Sequence, residues 1–311
     1  MRRVSPHLVF GILLCFVAIS SASAQVARVF LAGTGNDAGD CTNQATPCRS
    51  LQGAVTACPV NGEIIVLDNG GYGGATITKS LTVNASAGVV AFIARTITVN
   101  IGATDKVVLR GLSMNGAVFH DPNGILFSGG GTLVVENSVI AGFLTGFDPG
   151  VGILQAAAGS NLIVNNCELR NNDNGVLNNS GSDTNSNTVI ENSRFEYEGV
   201  GVASIATANV SIRNSVFANN QTAVIASSSS QTQPGLIVID TCTIAHNVTG
   251  INAYTASSGS AVVRVTNSTI YHNTNGMVAT SPGAAIESYG NNRVTANTNY
   301  STFSGTVVPL Q

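Results

Sequence analysis

One short phrase recurs along the chain: a hydrophobic-x-hydrophobic run, then usually Asn with a small residue after it, then another apolar residue. It reads LVVENSVI at 133–140, LIVNNCEL at 162–169, TVIENSRF at 188–195, VSIRNSVF at 210–217, IVIDTCTI at 237–244 and VVRVTNSTI at 262–270. With Asn137 as anchor, the equivalent positions are Asn166, Asn192, Asn214, Thr241, Asn267 and Asn291, and Gly111 and Ala85 are degenerate earlier copies. From Gly111 to Asn291 the steps are 26, 29, 26, 22, 27, 26 and 24 residues. A strand-length repeat at this period, without helical spacing between copies, predicts a coiled stack of β-rungs.

Two further columns keep the same register. Nine residues after most anchors comes Gly or Ala and then an apolar residue, as at Gly175-Val176, Gly201-Val202, Ala223-Val224, Gly250-Ile251 and Gly276-Met277. Six residues after the anchor stand Asn172, Asn220, Asn247, Asn273 and Asn297. Asn tolerates left-handed backbone, and identical amides stacked rung on rung bond along the axis, so both Asn rows read as structural.

The chain opens with Met1-Arg2-Arg3, an apolar stretch over 8–19 and Ala22-Ser23-Ala24, the pattern of a secretory signal peptide over 1–24. A leader and capping helix are expected over 25–62, the coil over 63–300 and a tail over 301–311. Within the leader, Leu51, Val55 and Cys58 fall at helical spacing over 49–58, with Pro59 as the stop. Such a helix covers the apolar end of the first rung. Strands are expected over 28–32, 63–67, 76–78 and 81–83. No later segment is long and apolar enough to span a bilayer.

The helix SLQGAVTAC, the strand GEIIVL, the turn NGGYGG, the strand pair ATITKSLTV and the rungs that follow resemble right-handed parallel β-helix proteins of the pectin-lyase-like superfamily. The resemblance implies an all-β, single-domain right-handed parallel β-helix with a short N-terminal capping α-helix, of nine or ten rungs. It is specific for fold and weak for activity, because that fold hosts lyases, hydrolases, esterases, adhesins and non-catalytic proteins. Its uronate-cleaving members use carboxylate-bound calcium with a basic residue, or paired aspartates. This sequence has no Asp-Asp dipeptide and no acidic column, so no metal and no cofactor are expected.

The charged fraction is 9%, and removing Arg2 and Arg3 takes the formal charge from −3 to −5, which argues against a nucleic-acid partner. Cys41 and Cys48 are expected to form a local disulfide in an oxidising compartment, with Cys58 able to compete for either. Cys167 and Cys242 occupy the small slot after the anchor, filled elsewhere by Ser138, Ser193, Ser215 and Ser268, and read as core filler.

Three groups of residues stand out as sites. Glu168, Arg170, Arg194 and Glu196 fall two and four places after consecutive anchors and form a checkerboard of charge on one strand face. Such a patch is either a self-satisfied quartet or a surface for an anionic or hydroxylated polymer. Two consecutive rungs carry overlong loops between anchor and glycine, bringing Phe119, His120, Asp121, Phe143, Phe147 and Asp148 to one side as a shelf or a plug. His246 and His272 stack five places after their anchors, with no acidic residue in the column to complete a metal site. The expected function is that of a secreted, non-catalytic protein of the cell surface or periplasm that binds polysaccharide or another envelope component through its sheet face and long loops. The rivals are a polysaccharide lyase or glycoside hydrolase, and an adhesive scaffold.

Overall fold

Residues 27–144, 150–180, 184–205, 208–228, 235–256, 259–299 and 302–309 are described by the computed structural model. Among them, the chain winds into a right-handed parallel β-solenoid whose three sheets contain eleven, ten and nine strands. Each rung visits the three in one order. The rung holding Asn137 runs Thr132–Glu136 in the eleven-stranded sheet A, Val139–Ala141 in the ten-stranded sheet B and Val151–Gln155 in the nine-stranded sheet C.

Alternation produces this shape. In sheet A every second residue faces inward, and parallel register places Val83, Leu109, Val135, Val164, Ile190, Ile212, Ile239 and Val265 in one fully buried column. Burial of each such side chain is worth ~1.5–3 kcal/mol. A second inward column in sheet B includes Phe195 and Phe217, whose rings stack 4.7 Å apart. The sequence reading placed the early strands within one or two residues of those found, at Arg28–Leu31, Gly62–Val66, Ala75–Ile77 and Leu81–Ala85.

The corner between sheets A and B is built on the anchor. Asn137, Asn166, Asn192, Asn214, Thr241 and Asn267 all have left-handed backbone, with φ between 47° and 55°. Asn accepts that conformation more readily than most residues, which explains its recurrence. The small residue that follows turns inward and does more than fill space. Ser193 Oγ donates to the Glu191 carbonyl and accepts from the Cys167 amide, while Ser215 Oγ accepts from the Ser193 amide. Cys167 and Cys242 sit buried and unbridged in the same column, and burial pushes both thiols up to about 11.

At the corner between sheets B and C the work is divided between two residues. The fifth position after the anchor takes the left-handed backbone, as in Asn171, Tyr197, Asn219, His246 and His272. The sixth turns its side chain into the wall. There Asn220 Oδ1 accepts from the Glu198 amide, Asn247 Oδ1 from the Asn220 amide and Asn273 Oδ1 from the Asn247 amide, each at 2.9 Å. Each Nδ2 donates to a carbonyl of sheet B, as Asn220 does to Phe195. From Asn166 to Asn267 the ninth residue after each anchor is Gly, or Ala at 223, so differences in repeat length over these rungs fall after it, in sheet C and the corner leading back to sheet A.

Both ends are covered. The helix α1 at Leu51–Ala57 is capped by Ser50, whose hydroxyl accepts from the Gly53 amide, and it buries Leu51, Ala54 and Val55. Cys41 and Cys48 form a disulfide with Cα atoms 5.2 Å apart, and Cys58 is buried and free. At the other end the Ser304 and Val308 amides donate to the Ile286 and Ser288 carbonyls of the last sheet A strand. No helix among the described residues is long and apolar enough to cross a membrane, and residues 1–24 lie outside them.

Candidate functional site

The corner between sheets A and B forms the floor of an open groove of about 780 Å³. Gly111, Asn137, Asn166 and Asn192 step along it at one residue per rung, and residues 86–89 of an earlier rung rise as its end wall. The exposed amides link to one another: Asn166 Nδ2 donates to Asn137 Oδ1 at 2.8 Å, and Asn192 Nδ2 donates to Asn165 Oδ1 at 2.9 Å. Arg110, Glu168 and Arg194 stand along the groove's sides. The result is a trough lying along the solenoid axis and open to water, in which amide, guanidinium and carboxylate groups alternate with small apolar side chains such as Ala87, Val89 and Val139.

Parallel register sets the charged patch. Glu168 lies opposite Arg194, and Arg170 lies opposite Glu196. The ion pairs themselves run along each strand rather than across: Arg170 Nε to Glu168 Oε1 at 2.7 Å, and Arg194 to Glu196. Residues two apart on a strand share a face, so each Arg folds back on its own strand's carboxylate. The hydrogen bond to Glu196 raises the Arg194 pKa above its ordinary value; burial slightly opposes this, and the Glu196 and Glu168 charges add to it. The Arg194 side chain stays about half exposed and lines the groove, with Nη2 held by Glu196.

The overlong loops lie at a different corner, between sheets B and C, and do not line the groove. Gly116–Val118 forms a 3₁₀ turn, and Phe119 then lies under the Arg95 guanidinium, 3.9 Å from its ring centroid. Asp121 pairs with Arg95 at 2.9 Å and accepts from the Thr96 amide, which ties the loop to the rung before it. His120 is exposed with left-handed backbone. Phe143 is fully buried against Gly116 and Gly124 and so lies in the core, with no ring face open to a ligand. Phe147 and Asp148 lie outside the described residues. His246 and His272 have ring centroids 5.3 Å apart at the edge of the same corner, next to Tyr271.

Sequence reasoning missed Glu198. It stands six residues after Asn192, in the slot that Asn fills in the rungs on either side, and it is 2% exposed. Its carboxylate accepts from the Asn172 amide at 3.1 Å and from Asn172 Nδ2 at 3.0 Å. Burial pushes its pKa up to about 8, against these hydrogen bonds and with the nearby Asp173 charge adding to the rise. The signal was the gap in the Asn column between 172 and 220. Glu198 is sealed in the wall, away from the groove. No cluster of three or more His, Cys, Asp or Glu side chains able to hold a metal ion occurs among the described residues.

A model described as "right handed beta helix region" matches residues 64–237. Two solved structures of similar fold are "the complex structure of XylC with xylose" and "crystal structure of pectate lyase Pel9A". The first has a TM-score of 0.58 and 8% identity over 86% of this chain and 68% of that one. The second has a TM-score of 0.55 and 16% identity over 90% of this chain and 78% of that one. At such identities the likeness is one of fold. No curated protein sequence matches. The family match spans more than half of the chain and coincides with the rungs traced above, and so the protein belongs to the right-handed β-helix family.

Proposed function

We propose that this is a secreted, non-catalytic protein that binds a polysaccharide along the groove between sheets A and B. The observation that carries the reading is the groove itself: a trough along the axis with a floor of exposed amides and with Arg110, Glu168 and Arg194 at its sides. Sugar hydroxyls both donate and accept, so amides and carboxylates match them, and guanidinium groups bind uronate carboxylates in a planar fork. The disulfide fits an oxidising, extracellular setting. Fold neighbours include a pectate lyase and a protein solved with xylose, but the groove's own residues support the saccharide reading.

The groove offers poor material for hydrolysis or elimination. Glu168 and Glu196 are each engaged by an Arg of their own strand, so neither is presented as a free member of a carboxylate pair flanking a bond. The test is affinity electrophoresis in gels containing uronate or neutral polysaccharides, with and without calcium, beside an assay for released ends. Retardation that weakens about tenfold in Arg194→Ala, with no release, is the expected result. Chain cleavage that disappears in Glu168→Ala would overturn it in favour of a lyase or glycosidase. Neither retardation nor cleavage across the panel would refute the saccharide reading and leave the scaffold role.

A further inference from the structure

Two columns of side chains on the outer face of sheet A follow an order along the axis that is self-complementary. The column before the anchor reads Arg110, Glu136, Asn165, Glu191, Arg213, Asp240 in consecutive rungs. Two residues earlier stand Val108, Val134, Ile163, Val189, Ser211 and Val238. These form a stripe of small and apolar side chains, none of them buried. Where Ser211 interrupts the valines, the face has a shallow depression of about 190 Å³ bordered by Val189, Leu236 and Val238.

We infer that this face docks on the same face of a second copy of the chain, with the two solenoids antiparallel. A two-fold axis along the strand direction, between the rungs of Ile163 and Val189, keeps each column over itself and reverses the order of rungs. Arg110 then opposes Asp240 of the second copy, Glu136 opposes Arg213, and Asn165 opposes Glu191. In the apolar stripe Ile163 opposes Val189, Val108 opposes Val238, and Val134 enters the depression at Ser211. The pairs Arg110–Glu136 and Arg213–Asp240 that exist within each copy, at 2.6 and 3.5 Å, join into two four-charge networks across the interface.

The register is selective. With the axis moved half a rung toward Asn165, Arg110 meets Arg213 and Glu136 meets Glu191. Moved half a rung the other way, Glu136 meets Asp240 and Glu191 meets itself. Like charges brought together in this way cost affinity, so both neighbouring registers are disfavoured. Six rungs at ~4.8 Å by five residues at ~3.3 Å give a footprint of ~480 Å² per copy. The total approaches the ~1,000 Å² expected of a specific interface, which fits a reversible dimer.

Sedimentation equilibrium on the protein between ~1 and ~100 µM reads the outcome, within the range of a weak interface. A concentration-dependent dimer is expected, and Arg213→Glu or Glu136→Arg alone should weaken it about tenfold or more. Mixing the two variants should restore association. At one end of the mixed dimer the two substituted positions then face each other with their charges exchanged, and at the other end the native Glu136 and Arg213 still meet. Thermal melts confirm that each variant is folded, and Val189→Glu gives an independent disruption of the apolar stripe. A protein that stays monomeric at the highest concentration overturns the inference. So does a dimer indifferent to the three variants, or folded Arg213→Glu and Glu136→Arg proteins that do not associate on mixing. Saccharide retardation by the monomeric Arg213→Glu variant is read separately, so either proposal can fail without the other.

Discussion

Replacing Glu198 with Asn should remove a pH dependence of stability that the wild-type solenoid carries in its wall. The folded-state pKa is raised from 4.5 to about 8 because burial disfavours the charge. An acid whose pKa rises on folding holds its proton more tightly in the folded state. Its stabilising effect is therefore complete below the unfolded value near 4.5, declines as pH rises toward 8, and is flat above that. A shift of this size corresponds to roughly 3–5 kcal/mol lost across the window. An Asn at this position would accept from the Asn172 amide as its neighbours do one rung along. It would also present an Nδ2 donor toward sheet B, as Asn220 and Asn247 do toward Phe195 and Phe217. Denaturant unfolding at pH 5, 6.5 and 8 should show the wild type weakening steadily while Glu198→Asn changes far less, and the variant should be the more stable protein at pH 8. Equal wild-type stability at pH 5 and pH 8, or the same slope in the variant, would refute the reasoning.

Two further perturbations test the ends and the corner packing. Phe143→Ala removes a fully buried ring packed against Gly116 and Gly124 and should cost about 3–5 kcal/mol in denaturant unfolding, while leaving saccharide retardation in place. Replacing Cys41 and Cys48 together with Ser opens a short loop and should lower stability by about 2–3 kcal/mol, with calorimetry showing a lower melting temperature.

The fold was legible because a solenoid writes its geometry into the sequence once per turn. The anchors from Asn137 to Asn267 each mark a left-handed corner, and counting from them gave the register that places Glu168 opposite Arg194. What counting could not give was the direction of flexible side chains. Arg170 and Arg194 were free to reach across or along the strand, and the structure has them reach along. Burial at irregular corners was equally hidden. Phe143 follows an anchor by six residues, where the next rung buries the amide of Asn172, and only packing against two glycines shows that its ring belongs inside. The groove was invisible for a different reason. Its end wall comes from residues 86–89, two rungs before Asn137, and a repeat alignment does not say which turns stand tall. Glu198 was legible in principle, as the one acidic residue in a column of amides.

The fixed count of nine residues between anchor and glycine has an evolutionary consequence. From Asn166 onward, two corners of each turn are held by ladders that bond one rung to the next, and the stretch between them keeps its length. Over the same rungs the stretch leading from sheet C back to sheet A takes up the variation, and the repeat ranges from 22 to 27 residues while the ladders stay aligned. A chain built this way can acquire new surface at one edge by simple insertion, without retuning its interior, and can lengthen by duplicating whole turns.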